Sequence, residues 1–277
     1  MKYSNQLRII SAKRGLIKID FKELWLYREL FLFLAWRDIL VRYKQTVIGI
    51  TWAVIRPIVT MIVFTVIFGK LAHLPSDGIP YPLLSFVGLL PWQFFSNALN
   101  ESSNSVVANA NMITKIYFPR LIIPAATIIS GIVDFILSSI ILIFMMIWYG
   151  VIPNVNVFWL PLFFLLALLF SFGIGLWFSA LNVKYRDVRH IVPFIVQFGL
   201  YISPVGFSSS IIPDNWKIIY SLNPMVSVID GFRWSLLGSW MPLNLPGLFI
   251  SAVVVILILL SGAYYFRKME NTFADII

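Results

Sequence analysis

Long apolar stretches dominate this sequence and restrict its fold more than any other feature. They cover residues 47–69, 83–100, 121–149, 157–181, 191–207 and 246–266, and one of the six is broken by polar residues. A membrane-spanning helix needs about 20 apolar residues, and 157–181 contains no charged residue at all. Because lipid offers no hydrogen-bond partners, backbone amides at that depth must be paired inside helices. The sequence therefore predicts an all-α integral membrane protein with six transmembrane helices.

Composition supports this fold class and excludes several kinds of chemistry. Apolar residues make up 60% of the chain, charged residues 12%, and the mean hydropathy is +0.88. The sequence contains no cysteine, which excludes disulfides and thiol chemistry. Its two histidines, His73 and His190, are far apart in the chain and predict no metal site. One bundle of helices is therefore expected, rather than the one or two domains of a soluble chain of this length.

The Lys and Arg residues indicate how the helices are oriented. With six spans and a cytoplasmic N-terminus, the outer loops carry only Lys70, Lys217 and Arg233, and Arg56 lies within the first span. The rest of the 21 Lys and Arg residues then lie in the cytoplasm, where such residues accumulate. This distribution predicts two cytoplasmic termini and accounts for the net charge of +9 without a nucleic-acid partner. The chain divides into a cytoplasmic segment, a transmembrane domain and a cytoplasmic tail, at 1–46, 47–268 and 269–277.

The segment from Asp20 to Val41 is too charged to cross a bilayer, but its apolar residues have helical spacing. Asp20 is placed to cap the helix, with Glu23 at the third helical position. The pattern predicts an N-terminal amphipathic helix that lies along the cytoplasmic interface. Such a helix acts either as a surface anchor or as a docking element for a partner. Residues 1–20 lack the apolar core of a cleavable signal peptide.

The region between the fifth and sixth stretches, residues 201–245, has an unusual pattern. Its apolar pieces are separated by Pro204, Gly206, Pro213 and Pro224, and each piece is too short to cross a membrane. Non-helical backbone at membrane depth is tolerated where protein or a water-filled cavity covers it. We predict two short re-entrant helices that dip back from the outer face. The alternative is an external loop, against which the many aromatic residues of this region argue.

Two charged residues lie within predicted spans, where charge usually marks function. Arg56 is in the first span and Asp134 is in the third. At about 1.5 Å per residue from the preceding cytoplasmic charges, the two reach similar depths and could meet. Trp52 shares a helical face with Arg56. The pattern fits either a buried polar contact that fixes helix packing or the lining of a hydrophilic pathway.

The second span ends in a polar run, and the segment from Asn109 to Arg120 follows it. Pro119 disfavours helical backbone at Phe118, so a short cytoplasmic helix is expected to end just before this proline. The segment is either an ordinary polar loop or a surface presented to a soluble partner.

The chain lacks the motifs of an energy source or of common catalysis. No G-x-x-x-x-G-K-[ST] phosphate-binding loop, no G-x-S-x-G and no H-E-x-x-H motif occurs. Carboxylates are few and scattered, although Asp187 has Arg186, Arg189 and His190 beside it. The sequence therefore predicts no catalytic residue and no cofactor on this chain.

Several motifs together resemble the permeases of polysaccharide ABC exporters of the O-antigen and teichoic-acid class. The likeness runs from about residue 20 to 265, and its most specific part is the Tyr-Lys-Gln-Thr block at 43–46. The matching segments are residues 36–46 (WRDILVRYKQT), 49–57 (GITWAVIRP), 88–92 (GLLPW), 116–120 (IYFPR), 182–188 (NVKYRDV), 203–204 (SP) and 223–225 (NPM).

The resemblance implies a function, a location and a set of partners. It implies a homodimer of six-span subunits in the bacterial inner membrane, in which each subunit docks on a separate cytoplasmic ATPase that binds ATP and Mg²⁺. The dimer would export a lipid-linked glycan through a central channel. The coupling helix of the family would fall near 105–118, and its outer gate helices near 208–240. The residues expected to couple to the ATPase are Asn109, Lys115, Ile116, Tyr117, Phe118 and Arg120.

A glycan pathway needs surfaces on which sugar rings can stack, and aromatic side chains provide them. The expected pathway residues are Trp52, Arg56, Asp134, Tyr201, Phe207, Trp216 and Tyr220. Trp and Tyr also gather at membrane interfaces without any transport role, so that alternative stays open for the aromatic residues. Two other functions also stay open: a membrane-embedded glycosyl- or acyltransferase acting on lipid-linked sugar, and an ion-coupled transporter. O-antigen, capsule-like glycan and teichoic acid are not separated by these residues.

Overall fold

The computed structural model describes residues 21–44, 49–238 and 243–273, and in this part of the chain all regular structure is helical. The predicted cap at Asp20 and part of the Tyr-Lys-Gln-Thr block lie outside the described residues. Eleven α-helices occur in the described part: α1 Phe21–Leu26, α2 Arg28–Lys44, α3 Gly49–Phe64, α4 Tyr81–Ala108, α5 Ala110–Ile113, α6 Ile122–Trp148, α7 Leu160–Lys184, α8 Val188–Ile202, α9 Asp214–Tyr220, α10 Pro224–Leu237 and α11 Leu245–Glu270. A π-helical turn, Thr65–Leu71, continues α3, and 3₁₀ turns occupy Val155–Trp159 and Ser209–Ile211.

Four helical segments are long and apolar enough to cross a bilayer. They are Thr51–Leu71, Ile122–Trp148, Val155–Lys184 and Leu245–Glu270. These segments coincide with four of the six predicted spans. The other two predicted spans correspond to α4, which is long but carries many polar residues, and to α8, which has only 15 residues. A six-span topology therefore stays a prediction.

Helix α4 is the central element of the bundle and packs against α3, α6, α7, α8 and α10. Its first half, from Leu83 to Trp92, is buried throughout. The helix continues eight residues beyond the predicted span end at residue 100, and polar side chains in this extension bond to carbonyls one turn earlier. The Asn100 side chain donates to the Ser96 carbonyl at 2.9 Å, and the Asn104 side chain donates to the Asn100 carbonyl at 2.8 Å. The polar run is thus an extension of the helix rather than its end.

Helices α7 and α11 cross at close range through two glycines. A Cβ atom at Gly262 would lie 2.3 Å from the carbonyl oxygen of Gly173, and one at Gly173 would lie 2.8 Å from the Cα of Leu259. Small residues of this kind let helix backbones approach each other in membranes. Beside the crossing, the indole of Trp177 stacks on the Tyr265 ring at 4.4 Å. This contact fixes the last helix against the body of the bundle.

The predicted fifth span is shorter than expected, because α8 ends at Ile202 and not at residue 207. Pro204 disfavours helical backbone at Ser203, and the chain turns there. The two predicted short helices are present as α9 and α10, so the external-loop alternative is wrong for α10. All of α10 except Asp230 and Trp234 is buried, against α4, α7 and α11. Whether these helices dip into the membrane stays a prediction.

Arg233 of α10 is fully buried, although it was counted among the cations of the outer loops. Its guanidinium donates to the carbonyls of Phe207 at 2.8 Å, Val205 at 3.1 Å and Leu84 at 3.4 Å. The Tyr81 hydroxyl also donates to the carbonyl of Gly206 in the same turn. The turn after α8 is therefore held to both α4 and α10 by hydrogen bonds to its backbone.

The predicted N-terminal helix is divided in two by a turn at Tyr27, and its second part, α2, extends to Lys44. Leu34 and Ala35 are buried in a cluster with Ile122 and Ile123 of α6. Helix α2 thus packs along the first half of α6. We call the end of the bundle at Asn109–Phe118 the coupling end. The other end, where α4 and α11 begin, is called the opposite end.

Candidate transport cavity and coupling surface

A polar cavity of about 320 Å³ lies between α2, α3, α4 and α6. Charged and amide side chains from all four helices line it, with aromatic rings among them. The lining residues are Arg42, Tyr43, Trp52, Ala53, Arg56, Pro57, Leu90, Gln93, Phe94, Asn97, Glu101, Asp134, Phe135 and Ser138. Polar groups at this depth are costly unless they face protein or water. We therefore take this space, here called the central cavity, as the candidate functional site.

Three residues expected in the transport pathway, Trp52, Arg56 and Asp134, line the central cavity together. The guanidinium of Arg56 lies over the Trp52 ring at 5.9 Å from its centre, within the range of a cation–π contact. The sequence periodicity that placed Trp52 and Arg56 on one helical face therefore agrees with the structure.

The carboxylate of Asp134 pairs with Arg42 of α2, and no ion pair between Asp134 and Arg56 occurs among the described residues. The Arg42 Nη1 lies 2.5 Å from Asp134 Oδ2, and Arg42 Nη2 contacts a carboxylate oxygen of Glu101. The Tyr43 hydroxyl donates to the second oxygen of Asp134. One arginine thus joins α2 to both α4 and α6.

The local sequence explains why Arg42 reaches these carboxylates. Arg42 lies in the last turn of α2, where a cation is favoured by the helix dipole. One and a half turns earlier, Arg37 Nη2 donates to the side-chain oxygen of Asn109 at 3.0 Å. Burial, together with the hydrogen bond to Asp134, raises the pKa of the Tyr43 hydroxyl, which keeps it a donor at neutral pH. These contacts hold α2 against the coupling-end halves of α4 and α6.

Sequence reasoning did not find the roles of Arg42, Tyr43, Gln93 and Glu101. A signal was available for the first two, because both lie within the segment that most resembles the permease family. No sequence signal indicated which carboxylate Arg42 would meet, since that depends on how three helices pack.

A double-mutant cycle distinguishes the two possible partners of Asp134. Combining Arg42→Met with Asp134→Asn should give a coupling energy of about 0.5–3 kcal/mol in the free energy of unfolding, because the two side chains contact each other. The pair Arg56→Met and Asp134→Asn should give a coupling close to zero. The measurement is unfolding of the purified protein by SDS titration. Coupling to Arg56 that equals or exceeds coupling to Arg42 would contradict the geometry.

The segment between α4 and α6 presents two large apolar side chains at the coupling end. Ile116 is 60% exposed and Tyr117 is 66% exposed, while the neighbouring Phe118 is buried with Ile113. The expected helix up to Pro119 is wrong in extent: α5 is a single turn that ends at Ile113. Turns follow α5 at Thr114 and Lys115, and Phe118 and Pro119 beyond them are buried. Lys115 is exposed beside the two apolar residues.

Helix α1 on one side, and the end of α11 with the residues after it on the other, contact this segment and hold it in place. The Tyr117 hydroxyl donates to Glu23 of α1 at 3.2 Å. On the other side, the Arg120 backbone amide donates to the Glu270 carboxylate at 3.0 Å, and its guanidinium lies over the Phe273 ring. Asn109 caps α4 and accepts from Arg37. Of the six residues expected to couple to a partner, Lys115, Ile116 and Tyr117 are exposed on this braced segment and Phe118 is buried beneath it.

The expected aromatic residues of the outer region separate into different environments. Tyr201 and Trp216 are each about 60% exposed and line neither the central cavity nor the cavity that Tyr220 lines. Phe207 contributes its backbone carbonyl to Arg233. Tyr220 lines a second cavity at the opposite end. The structure therefore does not bring the seven expected pathway residues into one site.

The charged group around Asp187 offers little support for a membrane-embedded enzyme. Asp187 and His190 are exposed at the start of α8 and line neither cavity. The Arg189 side chain donates to the His190 ring at 3.3 Å. We interpret the group as a solvated loop and helix start.

Comparison with known proteins identifies the family. Residues 29–237 match the family model described as "ABC-2 type transporter". The chain belongs to this family. The match covers most of the chain, from α2 to the end of α10, and it confirms the resemblance inferred from the sequence motifs.

Three similar proteins align with 84–92% of the chain. The O-antigen export system permease protein RfbA of Klebsiella pneumoniae is 29% identical over 250 residues, which is 90% of this chain and 95% of the relative. RfbA of Myxococcus xanthus is 28% identical over 92% of this chain and 98% of its own length. The polysialic acid transport protein KpsM of Escherichia coli is 24% identical over 84% and 91%. Together with the four apolar helices, these matches indicate a multi-pass membrane protein.

Proposed function

We propose that this ABC-2 family member is the permease subunit of an ATP-driven exporter that moves a lipid-linked polysaccharide across the bacterial cytoplasmic membrane. One observation carries the proposal: relatives named for O-antigen export and polysialic acid transport align with 84–92% of the chain. The glycan is proposed only as a class. O-antigen is favoured because the relatives named for O-antigen export are more similar in sequence to this chain than the relative named for polysialic acid transport.

The energy source is proposed to lie on a separate subunit. The sequence contains no phosphate-binding loop motif, so ATP and Mg²⁺ would bind to a cytoplasmic ABC ATPase. The exposed pair Ile116 and Tyr117 offers the kind of apolar anchor on which protein interfaces depend. A homodimer is also proposed, and the apolar face of α3 is available for a second copy or for lipid, because α3 is the least buried of the four candidate spans.

The proposal includes six spans and two cytoplasmic termini. In this topology α4 and α8 cross the membrane with the four apolar helices, and the coupling end faces the cytoplasm. Reporter fusions at Ser76, Asn154 and Asn215 are expected to report the outside. Fusions at Asn111, Tyr185 and Asn271 are expected to report the cytoplasm. A cytoplasmic signal at Asn215 would contradict the assignment of α8 as a span.

The central cavity is proposed as part of the glycan pathway. It combines hydrogen-bonding groups, which suit sugar hydroxyls, with the flat ring of Trp52. Replacing Trp52 with alanine should lower export of long chains several-fold while assembly stays normal. Trp216→Ala should have a smaller effect, because Trp216 lines neither cavity. Gel analysis of surface glycan length measures both, and wild-type export by Trp52→Ala would place this residue in the interfacial aromatic belt instead.

Deletion of the gene tests the proposed function. We expect loss of surface polysaccharide and accumulation of lipid-linked glycan on the cytoplasmic leaflet of the membrane, both reversed by the plasmid-borne gene. A deletion strain that synthesises no lipid-linked glycan would instead favour a transferase acting on lipid-linked sugar. Normal surface glycan in the deletion strain would contradict the proposal outright.

A further inference from the structure

A second cavity, of about 400 Å³, lies at the opposite end of the bundle, far from the coupling segment. The loop before α4, the segment from Ser208 to Ser221, helix α10 and the residues just before α11 form its walls. Its size falls in the range of about 300–1,000 Å³ that small-molecule sites occupy. Its lining residues are Asp77, Ser208, Ser209, Ser210, Ile212, Lys217, Tyr220, Ser221, Val226, Ser227, Asp230, Leu243 and Asn244. We call this space the serine cavity.

The polar groups of the serine cavity form an ordered network around three consecutive serines. The Ser208 hydroxyl donates to Asp77 at 2.6 Å, and the Ser210 hydroxyl donates to the same oxygen at 3.1 Å. The Ser209 hydroxyl donates to Asp230 at 2.7 Å. Each carboxylate has about four lone-pair directions, so both keep capacity to accept from a ligand. The serines fix the carboxylates in place and leave them as acceptors.

The cavity has an accessible rim and a closed polar floor. Ser210 and Asn244 at the rim are exposed, whereas Ser208 and Ser221 are 1% and 2% exposed. Apolar side chains from Val226 and Leu243 complete the wall, with the ring of Tyr220 beside them. The Tyr220 hydroxyl is occupied by the Ile202 carbonyl at 2.9 Å, which fixes the orientation of the ring.

The chemistry of the lining disfavours ions. An anion would face two carboxylates, and the one ammonium group in the lining, Lys217, is already paired with Asp214 at 2.6 Å. A divalent cation needs several oxygen ligands, and no group of three or more Asp, Glu or His residues placed to hold a metal occurs in the described ranges. A neutral ligand rich in hydroxyl groups fits this lining. Its hydroxyls donate to the carboxylates, and its C–H faces contact the apolar wall.

We propose that the serine cavity binds one or two sugar units of a glycan at the end of the bundle opposite the coupling segment. The choice of a saccharide rests on the proposed export function, which places this cavity at the exit of the pathway. Asp77 and Asp230 accept from vicinal hydroxyls, Ser210 contacts the ligand at the rim, and the Tyr220 ring forms a side wall. A site of this kind would hold the emerging chain and oppose its return.

Saturation-transfer NMR with the full-length protein in lipid nanodiscs tests the site. The probes are free glucose, galactose, mannose, rhamnose and N-acetylglucosamine, each tested singly, with inorganic phosphate and Ca²⁺ as competitors. We expect at least one sugar to bind, and neither competitor to displace it. The double variant Asp77→Asn, Ser210→Ala should weaken binding about tenfold, because it removes a charge-assisted hydrogen bond. Asn215→Ala, exposed on α9 outside the cavity, should bind like the wild type.

Several outcomes would overturn the assignment: no binding of any sugar, undiminished binding by the double variant, or displacement by phosphate or Ca²⁺. Asp230→Asn provides a second test if the double variant elutes as aggregate, because its amide oxygen still accepts from Ser209. Failure here is distinct from failure of the proposed function. If deletion abolishes surface glycan but the protein binds no sugar, only the sugar site in the serine cavity is contradicted. If the protein binds sugar but the deletion strain exports glycan normally, only the export function is contradicted.

Discussion

Replacing Arg233 with methionine is expected to destabilise the protein strongly. The change leaves the carbonyls of Leu84, Val205 and Phe207 without their shared donor. An unsatisfied buried polar group costs about 1–3 kcal/mol, and the Val205 and Phe207 carbonyls lie outside any helix, so a loss of about 2–6 kcal/mol follows from these two. The turn after α8 should then detach from α4. Fluorescence-detected size-exclusion chromatography should show a reduced monodisperse peak and a lower melting temperature.

Two further variants make the Arg233 test specific. Arg233→Lys keeps the charge but cannot reach three carbonyls from one ammonium group, so it should recover only part of the stability. Lys70→Met removes an exposed cation at the same end of the bundle and should change little. A melting temperature for Arg233→Met that matches Lys70→Met would show that the buried guanidinium does not hold the turn.

Replacing Ile116 and Tyr117 together with aspartate is expected to abolish glycan export while the permease still folds. Both side chains are mostly exposed, so their loss removes little from the core. Large apolar anchors in an interface contribute about 2 kcal/mol each, and the two together correspond to about a thousandfold loss of affinity for the ATPase. Co-purification with the ATPase and surface glycan should both fall, while the melting temperature of the permease alone stays close to wild type.

The matched control is Ile116→Leu with Tyr117→Phe. It keeps the apolar surface and removes only the hydroxyl that donates to Glu23. This control should retain ATPase binding and most export. Normal export by the aspartate variant would show that the segment from Asn109 to Phe118 is not the coupling surface.

The long apolar helices could be predicted from the sequence to within a few residues. The stretch 121–149 corresponds to α6, Ile122–Trp148, and 246–266 lies within α11, Leu245–Glu270. A long uninterrupted apolar stretch is stable in lipid as a helix. The positions of these helices could therefore be predicted from the sequence. The ends of α4 and α8 could not be predicted from apolar content. Helix α4 continues through polar residues such as Asn100, and α8 ends before Ser203-Pro204, within an apolar stretch.

The candidate site could be predicted only in part, for a different reason. The helical faces of Trp52, Arg56 and Asp134 follow from periodicity, and all three residues line the central cavity. Which cation pairs with Asp134 depends on the packing of α2 against α4 and α6, and periodicity within one helix does not contain that information. The position of Arg233 was missed because its hydrogen-bond partners are backbone carbonyls, which no residue type in the sequence reveals.

ATP-dependent movement of glycan in proteoliposomes tests the central proposal most directly. The purified permease is reconstituted with its cytoplasmic ABC ATPase on the outside of the vesicles, and lipid-linked glycan is added to the outer leaflet. We predict that ATP makes the glycan inaccessible to an added glycan-cleaving enzyme, and that the Ile116→Asp, Tyr117→Asp variant shows no such protection. Protection without ATP, protection without the ATPase, or no protection by the wild-type complex would contradict the assignment of this chain as an ATP-driven polysaccharide permease.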